Sequence, residues 1–344
     1  MVDDLIGVTG AGHQAHELNG LINIKSAIKG LQFNADKCKT MLVGKTIEDY
    51  QNNQLVVDKW DKTYRKQEHE NILTECYEGK VAMEQVKHHK YLGQSISHTN
   101  DNKAHIKTIQ NKAIGTKRKL FNILESLKLG RYYFECAVIL FRCLLRSSIL
   151  YSAETFFNVT EKELRDIEKI EEDFLRNLAD TKLGCPISQL YLEFGIYPAR
   201  FEIMKKTIMF YYYIINQQEN SLIYQILKAQ IDSPVKGDWV TSVHKYIEYL
   251  EVGLPYIDLG KIGKKKLNTI LNSNINRKAL IYLLEMRKSK GKEIEYHTIQ
   301  MAPYLKPNDH GLTISEKKEL FSLRNRMINI PWNFKQKVII QQII

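Results

Sequence analysis

The chain opens on Met1-Val2-Asp3-Asp4-Leu5-Ile6, and the adjacent acids Asp3 and Asp4 could hold divalent metal. Adjacent carboxylates repel and raise each other's pKa. A tight hairpin that aims both at cations removes the conflict. Two Mg2+ ions held this way can activate a hydroxyl and stabilise a leaving phosphate. Val2, Leu5 and Ile6 suit the buried strands of such a hairpin. Gly7, Gly10 and Gly12 come next and offer a different chemistry, a loop whose backbone cradles a dinucleotide pyrophosphate. That loop wants further glycines where this chain has Gln14 and His16. Nor does the chain go on to a regular alternation of strands and helices from which a parallel sheet could be built. The glycines therefore read as the exit of a hairpin.

The elements that must position these residues fall into two regimes. Residues 1 to 98 are mixed. "HELNGLINIKSAIKG" reads as a helix ended by Gly30, and "KTMLVG" as a short strand. "ILTECYEGKVAMEQV" reads as a hairpin turning at Glu78-Gly79, and "YLGQSIS" as one further strand. Beyond residue 99 the chain is nearly all helix. Ile106, Ile109, Ala113, Leu120, Leu124 and Leu127 share one face of a first helix; Phe134, Val138, Phe141, Leu145 and Ile149 share one face of a second. Thr160 to Glu163 form a capping box that opens a third, with Leu164, Ile167, Ile170, Phe174 and Leu178 inward. Pro198 suits the first turn of a fourth. Further helices are expected near 239–250, 264–289 and 315–328. "HTIQMAPYLKPNDHG" reads as a polar hinge.

Composition narrows the partners. The chain has 344 residues, 44% apolar and 26% charged, which fits a globular protein of one to three domains. Its net charge of +11 points to a polyanion, most simply nucleic acid. The longest apolar run, Ile208 to Ile215, is far too short to span a bilayer, so no membrane partner is expected. Cys38, Cys76, Cys136, Cys143 and Cys185 lack paired spacing, as in reduced thiols of an intracellular protein; the nucleus is one candidate compartment. His13 and His16 sit three apart, but no acid or cysteine spacing completes a metal site.

Several motifs in order resemble the reverse transcriptases of non-LTR retrotransposons. The first is "MVDD", similar to a metal-binding turn of an aromatic residue, any residue, then Asp-Asp; Met1 stands where the aromatic would be. "GLQFNADKCKTMLVG" is similar to a Gly-Leu-x-x-Asn-x-x-Lys-Ser/Thr segment, with Cys38 in the Ser/Thr place. "HHKYLGQSI" looks like a primer-grip hairpin, and "ILYSAETF" near Tyr151 and Glu154 like a thumb stretch. "LFSLRNRMINIPWNF" resembles a linker that precedes a Cys/His cluster. The resemblance implies that Asp3 and Asp4 hold catalytic Mg2+ and that Lys37 sits near the phosphates of an incoming nucleotide. It further implies that Lys90, Tyr91, Leu92 and Gly93 support a primer end. An RNA template and a DNA primer are then the partners, with no small-molecule cofactor.

One helix agrees independently of the resemblance. Lys103, Lys107, Lys117, Arg118 and Lys128 cluster on a stripe beside the apolar face at about 100° per residue. Between positions 102 and 134 the only acid is Glu125. A one-sided charge of this kind suits a phosphate backbone, which needs charge rather than base recognition. Lys261 to Lys266 offer a second basic patch.

The expected class is α+β, mainly α. Residues 1–98 would form the end of a polymerase palm, 99–185 a helical thumb and 186–344 a helical post-thumb region. The resemblance implies RNA-directed DNA synthesis as the parent activity. It places a further metal-binding carboxylate and the fingers upstream of Met1, and a zinc cluster beyond the C-terminal linker. The chain is thus expected to be a fragment that is inactive alone. A non-catalytic helical module that binds nucleic acid is the alternative.

Overall fold

The structure is a computed structural model. It describes residues 7–8, 12–28, 38–41, 55–60, 77–99, 101–156, 158–181, 185–235, 237–253, 256–288, 299–307 and 312–324. Contacts divide the chain into two compact units, Met1–His105 and Ile106–Ile344. The described residues are mainly helical, with small two-stranded sheets confined to the first unit.

Among its described residues the first unit carries one helix, α1 (Gly12–Ile28), and six short strands. These are β1 (Lys39–Thr40), β2 (Val56–Trp60), β3 (Tyr77–Ala82), β4 (Glu84–Gln85), β5 (His88–Tyr91) and β6 (Gln94–Ser97). β1 pairs with β4 in parallel; β2 with β3 and β5 with β6 are antiparallel. Glu78-Gly79, expected as a hairpin turn, instead lies inside β3, where Gly79 stands opposite Lys59. The register shifts between Lys59 and Trp60, as at a bulge. The segment Tyr91 to Ser97, whose pattern suggests a single strand, folds back on itself. Leu92 and Gly93 have φ of 46° and 88°, the two positive values of a type I′ turn. Such turns are usually marked by Asn or Asp before the glycine, and leucine gives no such signal.

α2 (Lys103–Ser126) starts in the first unit and runs on into the second. It buries Ile106, Ile109, Ala113, Leu120 and Leu124, at helical spacing. Leu127, expected on that face, falls past the last helical residue and is 55% exposed. α3 (Tyr133–Leu140) continues through a π turn, Phe141–Arg146, into Ser147–Ile149. Phe134, Val138, Phe141, Leu145 and Ile149 are all buried. The wider turn also brings Arg146 inside. Spacing of three and four is common to α and π turns, so the sequence pattern does not separate them.

α4 (Glu161–Ala179) begins at the expected capping box. The Glu163 N–H donates to Thr160 Oγ1 (3.2 Å) and the Thr160 N–H to Glu163 Oε2 (2.9 Å). Such a cap is worth about 1 kcal/mol. Leu164, Ile167, Phe174 and Leu178 are buried, and Ile170 packs half-buried against them. α5 (Ile187–Glu193) is followed by α6 (Ala199–Ile215), in which Pro198 is the N-cap rather than a first-turn residue. α7 (Leu222–Asp232), α8 (Trp239–Tyr249), α9 (Lys264–Lys288) and α10 (Ile314–Arg324) follow among the described residues.

Two hydrophobic cores organise this unit. The first gathers α2, α3, α4 and α5 with Ala199, Ile203, Leu283, Ala302, Leu305 and Phe321. Phe141 stacks on Phe174 at 5.1 Å, and Phe194 on Phe321 at 5.8 Å. The second gathers the rest of α6 with α7, α8 and the start of α9. Part of the stretch expected as a hinge is pinned to the first core. Met301 forms a bridge with Phe194, the Ala302 N–H donates to the Glu193 carbonyl at 2.8 Å, and Ala302 and Leu305 are buried. A backbone held this way is a packed connection, not a hinge.

Candidate nucleic-acid interface

The β5–β6 hairpin places Lys90, Tyr91, Leu92 and Gly93 at one tip. Exposure alternates along β5, so Lys90 points outward and Tyr91 is half-buried; Leu92 is exposed at the turn. Hydrogen bonds tie the hairpin to the start of α2. The His98 N–H donates to the Lys87 carbonyl at 2.9 Å, and the Thr99 hydroxyl to Asp101 Oδ2 at 2.7 Å. Asp101 Oδ1 in turn accepts the Lys103 N–H at 3.1 Å, in the first turn of α2. The Ser95 N–H donates to Nδ1 of buried His105 at 3.2 Å, which fixes the proton of that ring on Nε2. Hydrogen bonds to Asp101, from the Thr99 side chain and the Lys103 backbone, overcome its partial burial and hold its carboxyl below the ordinary value.

On α2 the apolar face sits in the first core and the opposite side is basic. Lys103, Lys107 and Arg118 are exposed and fall within an arc of about 60° on the helix. Among the described residues, Lys107 and Arg118 have no carboxylate partner. Lys117 lies nearer the apolar face, 22% exposed, and forms an ion pair with Asp173 of α4. Lys128 is exposed but off the helix, in the turn after Ser126, with a φ of 44°. The structure therefore groups Lys103, Lys107 and Arg118, turns Lys117 toward a carboxylate and sets Lys128 apart.

Sequence reasoning passed over two further cations. Lys112 and Lys119 are exposed on the far side of the same helix, about 160–180° from Lys103. Their type was a signal, but a search for one stripe excludes them. Arg131 adds a further exposed charge, its guanidinium 5.0 Å from the Tyr132 ring centroid. The Lys117–Asp173 pair had no local signal, because its members are 56 residues apart. In the second patch, Lys261 pairs with Asp258 at 2.5 Å, while Lys264, Lys265 and Lys266 are exposed in the first turn of α9.

Asp3, Asp4 and Lys37, the residues assigned to Mg2+ and nucleotide, lie outside the described residues, as do Gly10 and Gly30. Among the described residues no group of three or more His, Cys, Asp or Glu could hold a metal ion. Gly44-Lys45-Thr46 has the ending of a phosphate-binding loop, but Lys39 stands where that loop needs its leading glycine. No helix among the described residues is long and apolar enough to cross a membrane. No family model, curated protein or solved structure matches the chain.

Proposed function

We propose that this chain binds a nucleic-acid duplex along α2 and belongs to a polymerase that copies RNA into DNA. The observation that carries the binding half is the exposed row Lys103, Lys107 and Arg118, on a helix whose other face is fixed in a core. Charges on a rigid rod can follow a phosphate backbone without reading bases. The polymerase half rests on the ordered motifs from Asp3-Asp4 through Lys37 and the Lys90–Gly93 tip to Glu154. In that reading Asp3 and Asp4 hold Mg2+, Lys37 meets nucleotide phosphates, and the hairpin tip meets the primer.

Binding of the full chain to a fluorescent RNA–DNA duplex across a salt series tests the first half. Lys107→Glu with Arg118→Glu should weaken binding and make the salt slope shallower by about 2, one for each lost phosphate contact. Unchanged binding would remove α2 as the interface. A non-catalytic binding module is the second reading, favoured by the same helix because the basic row stands without the acids. A polymerase fragment that is inactive alone extends no primer, so the metal dependence of binding separates the two. Tightening of primer–template binding by Mg2+ that is lost in Asp3→Asn and Asp4→Asn supports the polymerase; binding indifferent to Mg2+ and to both acids supports the module.

A further inference from the structure

Lys117 sits at the border of the basic row, where α2 meets α4, and its ammonium is held by the carboxylate of Asp173. Asp173 is 58% exposed, whereas Lys117 is 22% exposed. The carboxylate is thus the more exposed member of the pair and is open to exchange with solvent ions. On the same outward side of α4, Lys162, Arg165 and Lys169 are exposed. Arg165 and Lys169 have carboxylates of their own helix, Glu168 at 3.8 Å and Asp166 at 3.1 Å. Asp173 instead pairs across to α2, as Glu161 and Glu168 pair across to Arg200 of α6.

From this geometry we infer that Asp173 acts as an internal stand-in for phosphate, keeping Lys117 occupied until a nucleic-acid backbone displaces it. The inference rests on the nucleic-acid reading of α2 and adds its regulation. An exposed ion pair of this kind is weak and salt-sensitive, so it competes with a polyanion rather than locking the lysine away. The consequence is a built-in discount on affinity. A ligand that offers only isolated charge gains little from Lys117, whereas a duplex that already engages Lys107 and Arg118 presents its next phosphate at high effective concentration and can replace the carboxylate.

The test is binding of the full chain to a fluorescent 20-base-pair RNA–DNA duplex, by anisotropy, in a salt series. Asp173→Asn should bind several-fold more tightly at low salt, with a salt slope steeper by about 1, because no displaced carboxylate then takes up a cation to offset the one released at the Lys117 phosphate. Lys117→Gln should weaken the wild type only slightly, because there Lys117 exchanges one anion for another, yet should return Asp173→Asn to near wild-type affinity and slope. Glu219→Gln removes an exposed negative charge elsewhere and should leave the slope unchanged. Unchanged unfolding temperatures for all variants establish that the fold is intact. An Asp173→Asn slope equal to wild type overturns the inference while leaving the binding reading standing. So does tighter binding that persists when Lys117 is also replaced. If neither the wild type nor Asp173→Asn binds, the binding reading itself fails and takes this inference with it. Binding by Asp173→Asn alone supports both.

Discussion

The carboxylate of Glu171 lies 2.8 Å from the guanidinium of Arg146, and both side chains are buried in the first core of the second unit. Glu171 Oε2 also accepts the Tyr191 hydroxyl at 3.0 Å and the Ala199 N–H at 2.9 Å. Arg146 donates its second bond to the Tyr197 carbonyl at 2.6 Å and packs over the Phe141 and Tyr197 rings. Burial pulls the Arg146 pKa down, but the Glu171 carboxylate outweighs it and holds the pKa above its ordinary value. One buried pair thereby joins the π turn, α4, α5 and the start of α6.

Removing one member of such a pair leaves the other charged and unpartnered. Glu171→Ala should cost about 3–5 kcal/mol of unfolding free energy, read from urea denaturation. A loss below about 1 kcal/mol would mean that the pair opens to water instead of anchoring the core.

Gly195 has a φ of 64°, and a Cβ there would meet the backbone nitrogen of Met301 at 2.2 Å and the carbonyl carbon of Gln300 at 2.5 Å. Backbone cannot swing aside as a side-chain tip can. Gly195→Ala should cost more than about 2 kcal/mol, the left-handed conformation supplying about 1–2 of that and displacement of residues 300–302 the rest. Calorimetry checks it: a melting temperature within about 2 °C of wild type would refute the close approach of the two segments.

Leu92 holds a φ of 46° at the tip of the β5–β6 hairpin, where leucine is strained and asparagine is at ease. Leu92→Asn should stabilise the hairpin by about 1 kcal/mol. Its side chain is exposed, so little packing is lost. Native-state hydrogen exchange of the β5 and β6 amides should slow about fivefold; faster exchange would show that the leucine side chain contributes more than its backbone strain costs.

Asp238 caps α8. Its burial works against ionisation, but hydrogen bonds from Thr241 and from the Val235 N–H prevail and hold the carboxyl below its ordinary 3.8. A carboxyl depressed on folding contributes stability that is present above 3.8 and is lost as pH falls through the lower folded value. Melting temperature should therefore fall as pH drops below about 4, and Asp238→Asn, which can still cap, should soften that fall. An identical acid limb in the variant would assign the loss to other carboxylates, Asp101 among them.

Several helices of this protein were legible in the order of its residues alone, although α5 and α7 were not among those expected. Phe134, Val138, Phe141, Leu145 and Ile149 reach the core as their spacing requires, and Thr160 and Glu163 close the cap that their types announce. The row Lys103, Lys107 and Arg118 was legible too, because a helix converts spacing into faces with no outside help, whereas Lys117 and Lys128 did not stay with it. Long-range packing settled the rest. Short strands such as β2 and β3 exist only by pairing, so the position of Glu78-Gly79 inside β3 depended on a partner some twenty residues earlier. Leu127 lost its place in the core because the helix ended one residue before it. The stretch with Pro303 and Pro307 looked loose, yet Glu193 and Phe194 pin its start. Lys117 carries the same charge as Lys107 along the chain, and only the approach of α4 gave it Asp173 as a partner. Local rules set what each segment can be; pairing of distant backbone and charge set what each side chain is free to do.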